Sequence, residues 1–103
     1  MWSFPLHDAA RKGSLSDVVS LLDSGKDINQ QSRSGRTPLY WACFNNHTEV
    51  VEVLLSRGAD PTIAKKYHDT PLHRAACSGN IVTGRLLVSH GASLLVTDSD
   101  GYT

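Results

Sequence analysis

A chain of 103 residues, 40% of them apolar, is one ordinary domain that can bury roughly 60–70% of its unfolded surface without a disulfide or metal to hold it. Its 10 basic and 10 acidic side chains cancel, which removes the global field that would favour nucleic acid or an anionic membrane. Two cysteines, Cys43 and Cys77, suit a reducing compartment, and Met1-Trp2-Ser3-Phe4-Pro5 has no basic start followed by an apolar run, so a cytoplasmic or nuclear protein with no membrane span is expected.

Taken in order, the chain repeats itself. Pro5-Leu6-His7-Asp8-Ala9 returns as Pro38-Leu39-Tyr40-Trp41-Ala42 and again as Pro71-Leu72-His73-Arg74-Ala75, each copy 33 residues after the last. A period of this size is the signature of a stacked-repeat architecture and takes precedence over other readings. Leu21, Leu54 and Leu87 hold the same register, as do Gly25, Gly58 and Gly91. The units run over about 1–31, 32–64 and 65–97, with 98–103 starting a fourth, all within a single domain of residues 1–103.

In each unit a first helix is predicted to begin at the proline. Thr37 and Thr70 precede it as N-caps, because the hydroxyl accepts a free backbone N–H and proline gives up only a donor that had no partner. The helix stops seven or eight residues on, at Gly13, Asn46 or Gly79, residue types that tolerate the left-handed conformation. Small residues inside it, Ala9-Ala10, Ala42-Cys43 and Ala75-Ala76, allow close approach of another helix. A second helix is predicted around Leu15–Asp23, Thr48–Ser56 and Ile81–Ser89, with Val50, Val51, Leu54 and Leu55 on its apolar side and Glu49, Glu52 and Ser56 on its wet side. Polar stretches of about ten residues, with Gly35 and Gly101 at their tips, join the units. One helix pair cannot bury both of its faces, so the units must stack into an all-α solenoid.

These units resemble ankyrin repeats. The resemblance is carried by Gly35-Arg36-Thr37-Pro38-Leu39-Tyr40-Trp41-Ala42-Cys43 and Gly58-Ala59-Asp60 and covers essentially the whole chain. It implies stacked antiparallel helix pairs with hairpin-like loops projecting at a right angle, and a concave face of loop tips and first helices that binds a protein or peptide partner. It also implies that His7 and His73 are hydrogen-bonding struts between units and that His47 bonds backbone at a helix–helix turn. Departures from the pattern are Phe4 in a capping Thr slot, His68 in a Gly slot at a loop tip, and Gly84 where Val18 and Val51 stand in the other units. Gly84 costs roughly 1 kcal/mol of helix propensity, so the third unit is expected to be the loosest.

Candidate chemistry is thin. Cys43 and His47, and likewise His73 and Cys77, are four apart and would supply a two-Cys, two-His metal set. The repeat register separates them, however, because Cys43 shares the core slot of Ala10 and Ala76 while Cys77 shares the outer slot of Phe44. A Cys–His nucleophile would need an orienting group and an oxyanion site that the sequence does not offer, and no phosphate loop or zinc-protease motif is present. The expectation is a non-catalytic interaction module, a scaffold or adaptor, with no cofactor and no metal. The alternative is a regulatory ankyrin region of a longer enzyme or channel that binds a segment in cis.

A repeat fold holds its framework and varies its surface. The resemblance therefore implies partner-binding residues at Arg33, Ser34, Arg36, Phe44 and Asn45, at Lys66, Tyr67, Asp69, Cys77 and Ser78, and at Ser99, Asp100 and Tyr102. Arg36, Phe44, Tyr67 and Tyr102 are the expected anchors, because arginine and aromatic side chains dominate binding hot spots. Trp41 is expected to be partly buried packing. Arg33, Arg36, Lys65 and Lys66 favour a partner with acidic groups over the centre. Leu21, Asp27, Ile28 and Asn29 match a spacing favoured by asparaginyl hydroxylases, which makes Asn29 a candidate modification site. The apolar side of the third unit has no polar capping helix after it, so either the array continues or that face meets a partner or a second copy of the chain.

Overall fold

The computed structural model describes residues 4–63 and 70–91. Six helices run through them: α1 (Pro5–Lys12), α2 (Leu15–Asp23), α3 (Pro38–Phe44), α4 (Thr48–Ser56), α5 (Pro71–Ser78) and α6 (Ile81–Ser89). Each odd-numbered helix pairs with the even-numbered helix that follows it. Between units, α3 packs between α1 and α5, and α4 lies between α2 and α6. The result is two layers of helices, the first helices on one side and the second helices on the other.

The predicted starts are realised where threonine is available. Thr37 Oγ1 accepts a hydrogen bond from the Tyr40 backbone N–H at 3.1 Å, and Thr70 Oγ1 accepts one from the N–H of His73. Phe4, which stands in the same slot before α1, makes no side-chain cap. Its ring meets His7 edge-on instead, with centroids 5.0 Å apart. At the other end of the first helices, Asn46 takes φ 59°, the one non-glycine residue in the left-handed region among those described. Gly13 is required twice over: its φ is 77°, and a Cβ there would sit within 2.5 Å of the His47 ring.

The core is one continuous cluster threaded through the stack, with Ala10, Val18, Leu39, Cys43, Val51, Leu54 and Leu87 among its buried members. The small residues do what close packing needs: Ala10, Ala42, Cys43 and Ala75 are fully excluded from solvent. Leu54 of the middle unit is sealed by neighbours on both sides, as a one-dimensional stack predicts for its centre. Polar atoms tie the units together along one edge. His47 Nε2 and Asn45 Nδ2 both donate to the Arg11 carbonyl at 2.9 Å, and Thr48 and Thr83 meet through their hydroxyls at 3.3 Å. The Asn29 amide oxygen accepts the Asp60 N–H at 2.8 Å, linking successive loops.

At the third unit the pattern opens. Ala76 is exposed although Ala10 and Cys43, its counterparts, are buried. Val88 is 57% exposed where Leu55 is only 3% exposed. Gly84 is half-buried in α6, and a Cβ added to it would meet only Leu72 Cδ1, at 4.0 Å.

Candidate functional site

The site begins with a loop base. His7 Nε2 lies 2.9 Å from the Gln30 carbonyl oxygen and 3.0 Å from the Arg36 carbonyl oxygen. Both partners only accept, so the proton is on Nε2 and the ring is shared between the two sides of the loop. Burial pulls the His7 pKa below its ordinary value, against the opposing pull of the Arg36 and Gln30 carbonyls and of Asp8. The neutral ring is the form that fits. Within the loop, the Ser32 N–H donates to the Arg36 carbonyl at 2.8 Å, the Arg36 N–H donates to the Ser32 hydroxyl at 3.3 Å, the Gly35 N–H donates to the Ser32 carbonyl at 2.8 Å, and Gln31 Nε2 donates to the Gly35 carbonyl at 3.0 Å. Arg36 therefore leaves a pinned hairpin at a defined point.

Its side chain lies back over α3. The Arg36 guanidinium carbon stands 4.9 Å from the Trp41 ring centroid and 5.3 Å from that of Tyr40. Tyr40 stacks on Phe44 at 6.2 Å and meets Trp41 edge-on at 5.9 Å, while Trp41 and Phe44 make a second edge contact at 5.6 Å. From α5, the Arg74 guanidinium reaches the Phe44 ring at 6.0 Å. Two cations thus bracket a three-ring cluster whose inner member, Tyr40, is buried and whose outer member, Phe44, is 46% exposed. Each cation–ring contact stabilises the arrangement by about 0.5–2 kcal/mol, more as water is excluded.

The other expected binding residues distribute as follows. Arg33 and Ser34 are exposed at the loop tip, where the Ser34 hydroxyl meets that of Ser32 at 3.0 Å. Asn45 is exposed, but its amide is engaged with Arg11 of the first unit. Cys77 is exposed, with Arg74 Nη2 3.8 Å from its sulfur. Ser78 closes α5. Lys66, Tyr67, Asp69, Ser99, Asp100 and Tyr102 lie outside the described residues, as does His68. Trp41, expected as partly buried packing, is half-buried, and both it and Arg74, which is absent from the expected binding set, join the ring cluster. Their signal was the register, since Asp8, Trp41 and Arg74 share one slot and Arg11, Phe44 and Cys77 the slot one turn on.

The residues considered for a metal set do not converge. Cys43 is buried and its thiol is pushed up to about 12 by desolvation, so it neither ligates nor attacks as a thiolate. His47 is held by the Arg11 carbonyl. His73 Nδ1 lies 2.6 Å from the Thr70 hydroxyl and accepts from the Thr70 N–H at 3.4 Å, closing a capping box within its own helix. Its role thus differs from that of His7, whose ring bonds the neighbouring unit.

The repeat spacing, the paired layers and the His7-pinned hairpin coincide with a family model of ankyrin repeats in three copies, which matches residues 6–98. The chain belongs to the ankyrin-repeat family. Its similarity extends to an ankyrin repeat and SOCS box protein 11 of Danio rerio, 38% identical over 96% of this chain and 33% of that protein. A tyrosine-protein kinase, HTK16 of Hydra vulgaris, is 32% identical over 95% of this chain and 13% of its own length. The palmitoyltransferase Hip14 of Drosophila melanogaster is 31% identical over 95% of this chain and 16% of its own. This chain spans a third or less of the length of these curated relatives. The ankyrin fold is a non-catalytic interaction fold, and ankyrin repeats are protein-interaction modules. Among the described residues, no helix of this ankyrin stack is long and apolar enough to cross a membrane.

Proposed function

We propose that this ankyrin-repeat chain captures a protein partner on the face formed by its first helices and the loop of the second unit. The observation that carries the reading is the ring cluster of α3, exposed at Phe44 and held by a loop that His7 fixes in place. A surface built this way is ordered before binding, so little conformational freedom is lost on association. Arginine and aromatic anchors surrounded by polar groups are the composition that concentrates binding energy. Affinity capture from source-cell lysate, followed by mass spectrometry, compares the wild-type chain with an Arg36→Ala, Phe44→Ala double variant. Proteins enriched by the first and lost from the second support the assignment; an identical set refutes it.

A second reading follows from the relatives that carry a kinase or palmitoyltransferase name, in which the matching region is 13–16% of the whole. In that reading the repeats bind an inhibitory segment of their own longer chain. Sequencing the transcript on either side of this stretch decides it: an adjoining catalytic or membrane domain supports it, and flanking stop and start codons rule it out.

A further inference from the structure

Corresponding positions of the three units form rows along the first-helix layer, and the rows change character from unit to unit. In the first unit Asp8 and Arg11 close on each other, with Arg11 Nη2 3.0 Å from Asp8 Oδ1. That pair presents little net charge. In the second unit the same two slots hold Trp41 and Phe44, and in the third the first of them holds Arg74. Arg36 enters from the loop and lies over the Tyr40 and Trp41 rings, while Arg74 enters from α5 and reaches the exposed Phe44 ring, which itself packs on Trp41 and Tyr40.

Among the described residues, the Arg36 guanidinium is held by ring faces. Among them it makes no hydrogen bond or ion pair, and its Nε is buried without a partner. A guanidinium stacked on a ring uses its face and keeps its in-plane N–H fork for a planar acceptor. Half-buried as it is, it meets a carboxylate where screening is weaker than in bulk water. The complementary ligand therefore has two features: a carboxylate for the fork, and an apolar group beside it for Phe44.

We propose that the Arg36–Trp41–Phe44–Arg74 cluster recognises an extended acidic–apolar segment of a protein partner. A Glu or Asp carboxylate forks onto Arg36, and the neighbouring apolar side chain lies on Phe44. The proposal rests on the interaction-module reading above and adds the chemistry of the partner. A phosphate backbone is a poorer match, because the chain is neutral overall and the same row carries Asp8.

Fluorescence polarisation of the 103-residue chain against labelled probes tests it. The probes are short peptides mixing Glu with Phe and Leu, matched peptides with Lys in place of Glu, Glu peptides with Ser in place of the apolar residues, and a uridine oligonucleotide. The Glu–Phe–Leu peptides should bind in preference to the others, and their affinity should fall as NaCl is raised. Arg36→Gln and Phe44→Ala should each weaken them roughly tenfold, as expected for losing a charge-assisted fork or an aromatic anchor. Arg57→Gln, on the outer helix layer, should leave them unchanged. Far-UV circular dichroism melts check each variant. If Arg36→Gln folds poorly, Phe44→Ala and the salt dependence decide, since truncating an exposed ring leaves the core intact. Binding of none of the probes, equal binding of Glu and Lys peptides, preference for the oligonucleotide, or undiminished binding by the folded variants overturns the proposal. Lysate capture that survives both substitutions also overturns it, while leaving the chain an interaction module through another face.

Discussion

Replacing Gly84 with alanine should stabilise the protein, and the size of the gain follows from the structure. Val18 and Val51 fill the corresponding slot in the first two units and are wholly buried; in α6 the slot holds no side chain. Gly84 has an ordinary helical backbone, since it is absent from the residues of positive φ. An added Cβ meets Leu72 Cδ1 at 4.0 Å, an ordinary van der Waals separation. The helix-propensity gain is about 0.8–1 kcal/mol, and half-burying a methyl group adds about 0.4 kcal/mol. A total of roughly 1–1.5 kcal/mol corresponds to a melting point higher by about 5–10 °C in a domain of this size. Urea titration followed by circular dichroism should show a higher midpoint at unchanged slope. Stack stability is a sum of unit and nearest-neighbour terms, so hydrogen exchange should slow in α5 and α6 far more than in α1. An unchanged or lowered midpoint would refute the reasoning, because it would mean that the slot beside Leu72 is not open space.

Three further outcomes are expected. Because burial holds the native His7 pKa below 6.5, the unfolded chain takes up the proton first, and stability is lost as pH falls from 6.5 towards the lower native value; chemical denaturation at several pH values should show this slope flattened in His7→Gln. Alkylation of the native protein with iodoacetamide should label Cys77, which is exposed, and spare Cys43, which is buried with its thiol pushed up to about 12, with both labelled in denaturant; native labelling of Cys43 would contradict the packing. Leu54→Ala in the sealed centre should cost about 2–5 kcal/mol, whereas Val88→Ala on the open side of α6, 57% exposed, should cost under about 0.5 kcal/mol, as urea midpoints will report.

The sequence by itself determined the framework, because its signals are local. Thr37-Pro38 and Thr70-Pro71 start helices through a hydroxyl and a missing donor, Gly13, Asn46 and Gly79 stop them through left-handed backbone, and apolar spacing marks the second helices to the residue. The period of 33 did the rest, since any position could be checked against its two counterparts. Register alone placed Cys43 in the core and Cys77 outside it.

Only the tertiary structure decided what the variable residues do, because their partners come from other units. His7 and His73 occupy the same slot, yet one bonds two carbonyls of the neighbouring loop and the other caps its own helix. Asn45 reads as surface but reaches 34 residues back to the Arg11 carbonyl. Asn29, singled out for modification, holds the Asp60 N–H of the next unit. Trp41 reads as packing, and its place in a ring–guanidinium cluster appears only when Arg36 folds back from a pinned loop and Arg74 arrives from the next helix. Spacing along one chain reveals what a residue does to its own backbone; which side chains meet across a stack depends on the stacking itself.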